Sequence, residues 1–174
     1  STRQLTMTGG IDLQGGLIQF PATQNASGDA NVLDDYEEGT WTPVFTFATP
    51  GNLSVVYSTQ VGNYLKVGKW VTLQFNVSTS TFTHTTASGN FQITGVPFTS
   101  NTQTGGTHIG VLSISNANLS TGYTYANVKI ASNAVLLTCL EAGDSVGNQD
   151  MTTAGFPTAT NHQLLGSITY QTSA

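Results

Sequence analysis

The clearest regularity in the chain is a two-residue alternation of apolar and polar positions. Val71, Leu73, Phe75 and Val77 alternate with Thr72, Gln74 and Asn76. Successive side chains of a strand point to opposite faces, so this segment predicts a strand with one buried face. Shorter stretches of the same kind lie at Trp41 to Phe47, Leu53 to Ser58, Asn63 to Val67, Asn90 to Thr94, Thr107 to Ser115, Tyr123 to Ala131, Val135 to Glu141 and Leu164 to Tyr170. Turn formers separate them: Pro50-Gly51-Asn52, Val67-Gly68-Lys69, Ser88-Gly89-Asn90, Gly105-Gly106 and Gly143-Asp144. Helical spacing is nearly absent. Many short strands at this interval predict an antiparallel β-sandwich, jelly-roll-like, over residues 41–174. The longest strand-poor stretch, 142–163, is expected to be an exposed loop.

The first 40 residues follow another pattern. Leu5-Thr6-Met7-Thr8-Gly9-Gly10 is followed by Ile11-Asp12-Leu13-Gln14-Gly15-Gly16 and by a degenerate copy from Leu17. Each copy reads as a tiny strand and a glycine turn. Such rungs cannot bury a core alone, so Leu5, Met7, Ile11, Leu13 and Leu17 need cover from other rungs or other chains. Residues 1–40 are therefore expected to be a short repetitive β shaft end plus a small, polar linker. The acidic cluster of Asp34, Asp35, Glu37 and Glu38 around Tyr36 reads as a solvated turn. Ser1 stands where an initiating Met would be, so a fragment of a longer chain is expected.

Composition sharpens this. Charged residues make up 7% of the 174 positions, against about 25% in an ordinary soluble domain. No Asp, Glu, Lys or Arg occurs from Trp70 to Val128. Thr-rich neutral surfaces suit pleated sheets. They also suit contacts between identical chains, because like charges facing each other across a symmetry axis repel. Arg3, Lys66, Lys69 and Lys129 are scattered and the net charge is -5. A nucleic-acid binder needs clustered cations, so that class is rejected. No apolar run reaches the roughly 20 residues of a membrane helix.

Candidate chemistry is sparse. Cys139 lies in an apolar run and reads as a small buried hydrophobe. His84, His108 and His162 show no metal-ligand spacing. Beyond residue 40 the only acids are Glu141, Asp144 and Asp150. Glu141 with either aspartate would be the pair for glycoside hydrolysis, although turn acids are the commoner explanation. No catalytic set, metal site or cofactor is predicted. For sugar contact the candidates are Tyr123, Tyr125 and Asn127, which offer aromatic faces and an amide. A core or inter-subunit role for the tyrosines is the competing reading.

Leu33-Asp34-Asp35-Tyr36-Glu37-Glu38-Gly39-Thr40-Trp41-Thr42-Pro43 resembles the L-D-D-Y-E-E-G-T-W-T-P stretch of bacteriophage tail fibre and tailspike (appendage) proteins. Tyr57, Gln60, Gly62, Tyr64, Lys66 and Gly68 are similar to the Y-x-x-Q-x-G-x-Y-x-K-x-G pattern of that group. Ile93-Thr94-Gly95-Val96-Pro97-Phe98 is similar to its I-x-G-x-P-F segment. The resemblance covers about residues 17–100. It implies a homotrimer at the tip of a virion appendage, made in the bacterial host cytoplasm. It implies adsorption to a bacterial surface polysaccharide or outer-membrane receptor, without membrane insertion. In some relatives a polysaccharide-degrading domain lies upstream, so the alternative is a purely structural trimerisation or folding clamp. Within the motif, Trp41 and Phe45 are expected to share one strand face, and the glycines after Tyr57 and around Tyr64, Gly62 and Gly68, are expected to fit a hairpin.

Overall fold

The computed structural model describes residues 13–21, 23, 32–103, 106–159 and 161–173. Among them there are ten strands and no helix: β1 (Tyr36–Trp41), β2 (Val44–Thr49), β3 (Ser54–Val67), β4 (Trp70–Thr83), β5 (Ser88–Thr94), β6 (Thr107–Ser115), β7 (Tyr125–Ala131), β8 (Leu137–Gly143), β9 (Val146–Asp150) and β10 (Gln163–Gln171). The protein is all-β, and every strand pairing is antiparallel. All ten strands join one sheet in the order β1-β3-β4-β10-β6-β7-β8-β5-β2, with β9 on β8. Its hydrogen bonds draw no division into two packed sheets.

The order contains its own geometric demand. β1 and β2 are opposite ends of the path, yet only Thr42 and Pro43 lie between them in sequence. Two residues span about 7 Å, so the sheet must curl until its edges nearly meet. Side chains close the seam. The Phe45 amide donates to the Tyr57 hydroxyl at 2.7 Å, and Gln60 Nε2 donates to the Pro43 carbonyl at 2.9 Å.

The curl encloses one core. Val71, Leu73, Phe75 and Val77 of β4 face it, as their alternation predicts. Phe45, Phe47, Phe82 and Phe91 form an edge-to-face cluster. Phe156 stacks on Phe91 with ring centroids 3.7 Å apart. Each buried ring contributes about 1.5–3 kcal/mol by leaving water. Phe156 and Met151 belong to the stretch expected to be an exposed loop, and both are fully buried. That stretch carries β9 and then plugs the core. Two large apolar side chains in a polar segment were the signal for it.

Further readings change. Trp41 to Phe47 is two strands, broken where Pro43 lacks an N–H for the ladder. Leu53 to Ser58 and Asn63 to Val67 fall, but for Leu53, in the single strand β3, whose 14 residues run straight through Gly62; the hairpin expected of these glycines forms at Gly68 instead. The reversal comes at Gly68, where φ is +55°, between β3 and β4. The acidic segment is a strand from Tyr36 onward, paired with β3, so the sheet begins before residue 40. Leu13 and Leu17, the repeat positions that are described, are 42% and 94% exposed. Leu5, Met7 and Ile11 lie outside the described residues.

Candidate functional site

Residues of the 33–43 and 57–68 segments meet on β1 and β3; Asp35, Glu37, Gly39, Trp41, Gly62, Tyr64 and Lys66 lie on the inward side, whereas Tyr36, Glu38 and Thr40 face outward. The register places Glu37 opposite Lys66, Gly39 opposite Tyr64 and Trp41 opposite Gly62. A Cβ on Gly39 would sit 2.7 Å from the Tyr64 hydroxyl, and one on Gly62 would sit 2.6 Å from the Trp41 indole nitrogen. Each strand thus supplies an aromatic ring that lies over the glycine of the other. The pattern continues across the sheet, since Phe75 lies opposite both Gly62 and Gly166. A Cβ on Gly166 would be 2.3 Å from that ring. Glycine is needed here for close packing rather than for a turn.

Charge in this region is internal too. Asp35 and Lys66 form a buried ion pair, 5% and 3% exposed. The Tyr64 hydroxyl donates to the Glu37 carboxylate. That hydrogen bond holds the proton, burial and the Glu37 charge add to it, and the Tyr64 pKa is pushed up to about 12. The cluster expected to be a solvated turn is therefore half buried machinery, because β3 brings it a lysine and a phenol.

The three sugar-contact candidates are not all on one strand. Tyr125 begins β7 and is 53% exposed. Asn127 follows two positions later on the same outward face, and Lys129 comes next. Tyr123 lies before the strand, where Gly122 has φ +89° and the Thr124 amide donates to Ala142. Lys129 is tied to Asp150 of β9 at 2.6 Å. Tyr125 is exposed, and Tyr123 and Asn127 are half-buried beside it, so a ring face, a hydroxyl and an amide reach the surface together.

The acids have structural partners. The Glu141 carboxylate accepts the Ser120 amide at 2.7 Å and Gln149 Nε2 at 2.5 Å. Burial pulls its pKa up, but these hydrogen bonds outweigh it and hold the group below the usual carboxylate range. Asp150 accepts Asn90 Nδ2 at 2.7 Å as well as pairing with Lys129.

His162 is fully buried, with Nε2 2.8 Å from the Pro157 carbonyl and its ring 4.8 Å from Phe82. His84 packs on Phe47 and Phe82, and its Nε2 lies 2.8 Å from the Phe156 carbonyl. Both histidines thus pin the 151–162 segment to the core. Burial drives the Cys139 thiol pKa upward, as suits a small core hydrophobe. No group of three His, Cys, Asp or Glu able to hold a metal occurs among the described residues.

Sequence reasoning missed an open groove of about 260 Å³ on the outer side of β3 and β4, lined by Asn63, Tyr64, Leu65, Thr72 and Gln74. In register, Asn63, Gln74, Ser167, Val111 and Asn127 form one row across five strands. The alternation of each strand marked its outward residues, but only the sheet order puts them in a row.

Neither a known protein family nor a curated protein matches the sequence. Among solved structures, the crystal structure of the Dettilon tailspike protein is similar, with a TM-score of 0.52 and 17% identity. The match covers 78% of this chain and 24% of that one. At this identity the likeness is one of fold: a curled antiparallel sheet of this kind also occurs within a tailspike.

Proposed function

We propose that the chain is the C-terminal trimerisation and receptor-binding part of a bacteriophage tail fibre or tailspike. It would reside at the tip of the virion appendage, made in the bacterial host cytoplasm and assembled as a homotrimer. The six-residue rungs would end the shaft, and the curled sheet would be the head. The observation that carries this reading is the fold shared with a tailspike over 78% of the chain. The L-D-D-Y-E-E-G-T-W-T-P resemblance supports it independently.

The proposed action is binding, with three copies adding avidity. Tyr125 and Asn127 are the proposed contacts to a bacterial surface polysaccharide or outer-membrane receptor, with Tyr123 beside them. The engaged states of Glu141 and Asp150 speak against hydrolysis. The test is retention of the labelled full chain by a panel of bacterial strains, with and without their surface polysaccharide. Retention by susceptible strains is expected, with about a tenfold loss in Tyr125→Ala or Asn127→Ala, equivalent to about 1.4 kcal/mol. New reducing ends released from the polysaccharide would replace this reading by an enzyme.

One observation favours a second reading, the structural clamp. The motif side chains Asp35, Trp41, Tyr64 and Lys66 are used in internal packing. Their recurrence in appendage proteins then reflects folding rather than a receptor. Retention by no strain, together with loss of assembly when residues 41–174 are removed, would favour the clamp.

A further inference from the structure

We infer that the outward face of β3, β4, β10 and β6 is the surface on which a second copy of this chain packs. The inference rests on the trimeric reading above and assigns its contact surface. These four strands are consecutive in the sheet. Their outward positions include Val61, Leu65, Val67, Leu165, Ile109 and Val111, which are 49%, 41%, 38%, 39%, 52% and 70% exposed. The side chains between them are neutral, among them Asn63, Thr72, Gln74, Ser167 and Thr169. Thr72 and Thr169 hydrogen-bond to each other at 2.9 Å across this face. No outward position of the four strands carries Asp, Glu, Lys, Arg or His.

A sheet face that meets only water carries charged side chains in plenty, because they keep it soluble and separate. Here the charges stand elsewhere. Glu38 lies on β1 and Lys129 on β7, one strand beyond each side of the face.

The occupant follows from the chemistry. The chain has a net charge of -5, so two copies repel unless they meet where neither is charged. The face meets that condition. Its apolar side chains are aliphatic and branched except for Trp70, which stands 50% exposed at the start of β4. The aliphatic majority suits another aliphatic surface, whereas a sugar platform stacks on several aromatic rings and this face has one, at its margin. Four strands about 4.8 Å apart, over the nine residues of β6 and β10, give an area of roughly 19 by 30 Å. With side-chain relief this approaches the roughly 800 Å² per partner of a stable interface. Leu13, Leu17 and Ile18 also stand exposed, so the chain leaves apolar groups uncovered in two places.

The test is the solution mass of the full chain at micromolar concentration by sedimentation equilibrium, with far-UV circular dichroism as the fold control. The unsubstituted chain is expected at a multiple of the single-chain mass. Leu65→Glu and Val111→Glu are each expected at the single-chain mass with an unchanged spectrum. Val135→Glu, which is exposed in the segment between β7 and β8, should leave the assembly intact. If a glutamate variant does not fold, Val111→Asn takes its place, with self-association expected to weaken about tenfold. A single-chain mass for the unsubstituted chain overturns the inference, and so does an assembly that tolerates both glutamates. Loss of cell retention at unchanged mass also overturns it, since the face then meets the host. An assembled chain that no strain retains would sink the adhesion reading and leave this interface standing.

Discussion

The Asp35–Lys66 pair shows how strongly one residue's meaning depends on its neighbour. In sequence Asp35 is one of four acids around a tyrosine; in the fold it is buried against a lysine 31 positions away. A buried charge is tolerated only when paired. Lys66→Met should therefore cost about 3–5 kcal/mol in chemical denaturation, because Asp35 is left unpartnered. Adding Asp35→Leu should return most of that loss. A single variant as stable as the original would show that Asp35 reaches water.

His162 gives a pH dependence. Burial among Phe82 and Phe156 lowers its pKa below the ordinary 6.5. The folded state thus binds its proton less readily than the unfolded state. Stability from this group is complete above about pH 6.5. It falls as pH drops towards the lowered folded value, since the unfolded chain takes up protons first. Thermal unfolding between about pH 7.5 and pH 5 should show this decline, and His162→Phe should flatten it. A slope unchanged by the substitution would assign it to other groups.

At the scale of elements, glycine and aromatic residues are exchanged between strands. Glycine in mid-strand ordinarily weakens a sheet. Here Trp41 lies over Gly62, Tyr64 over Gly39 and Phe75 over Gly166. The sequence displayed Gly39 and Gly62 each two residues from an aromatic, Trp41 and Tyr64, which invites a hairpin reading. Only the register shows that the ring belongs to the opposite strand's glycine. Gly62→Ala should cost about 1–3 kcal/mol through overpacking, measured as a lower denaturation midpoint. Wild-type stability would mean that the indole moves aside freely.

The seam between β2 and β3 makes a second prediction at this scale. Tyr57→Phe removes the acceptor of the Phe45 amide. A half-buried N–H left unpaired costs about 1–3 kcal/mol. The Phe45 amide should also lose its protection from hydrogen exchange, and retained protection would mean the seam is held by packing alone.

In the whole molecule, chain order and sheet order diverge most at the C-terminal end. β10 lies between β4 and β6 and buries Leu164, Ile168 and Tyr170. The fold cannot close until the last strand is inserted. Deleting residues 163–174 should abolish the cooperative unfolding transition rather than lower its midpoint, because a central strand and part of the core leave together. A retained transition would show that the other strands close without it.

Local alternation was enough to specify an all-β chain, the inward face of β4 and the burial of Cys139. Those properties depend on each side chain's own preference for water and on the two-residue period of a strand. Which strand neighbours which depends on contacts between residues distant in sequence, and no local pattern encodes them. The third dimension alone made the acidic motif a paired strand and turned a supposed loop into a plug under Phe91. It also gathered scattered neutral side chains from four strands into one uncharged face.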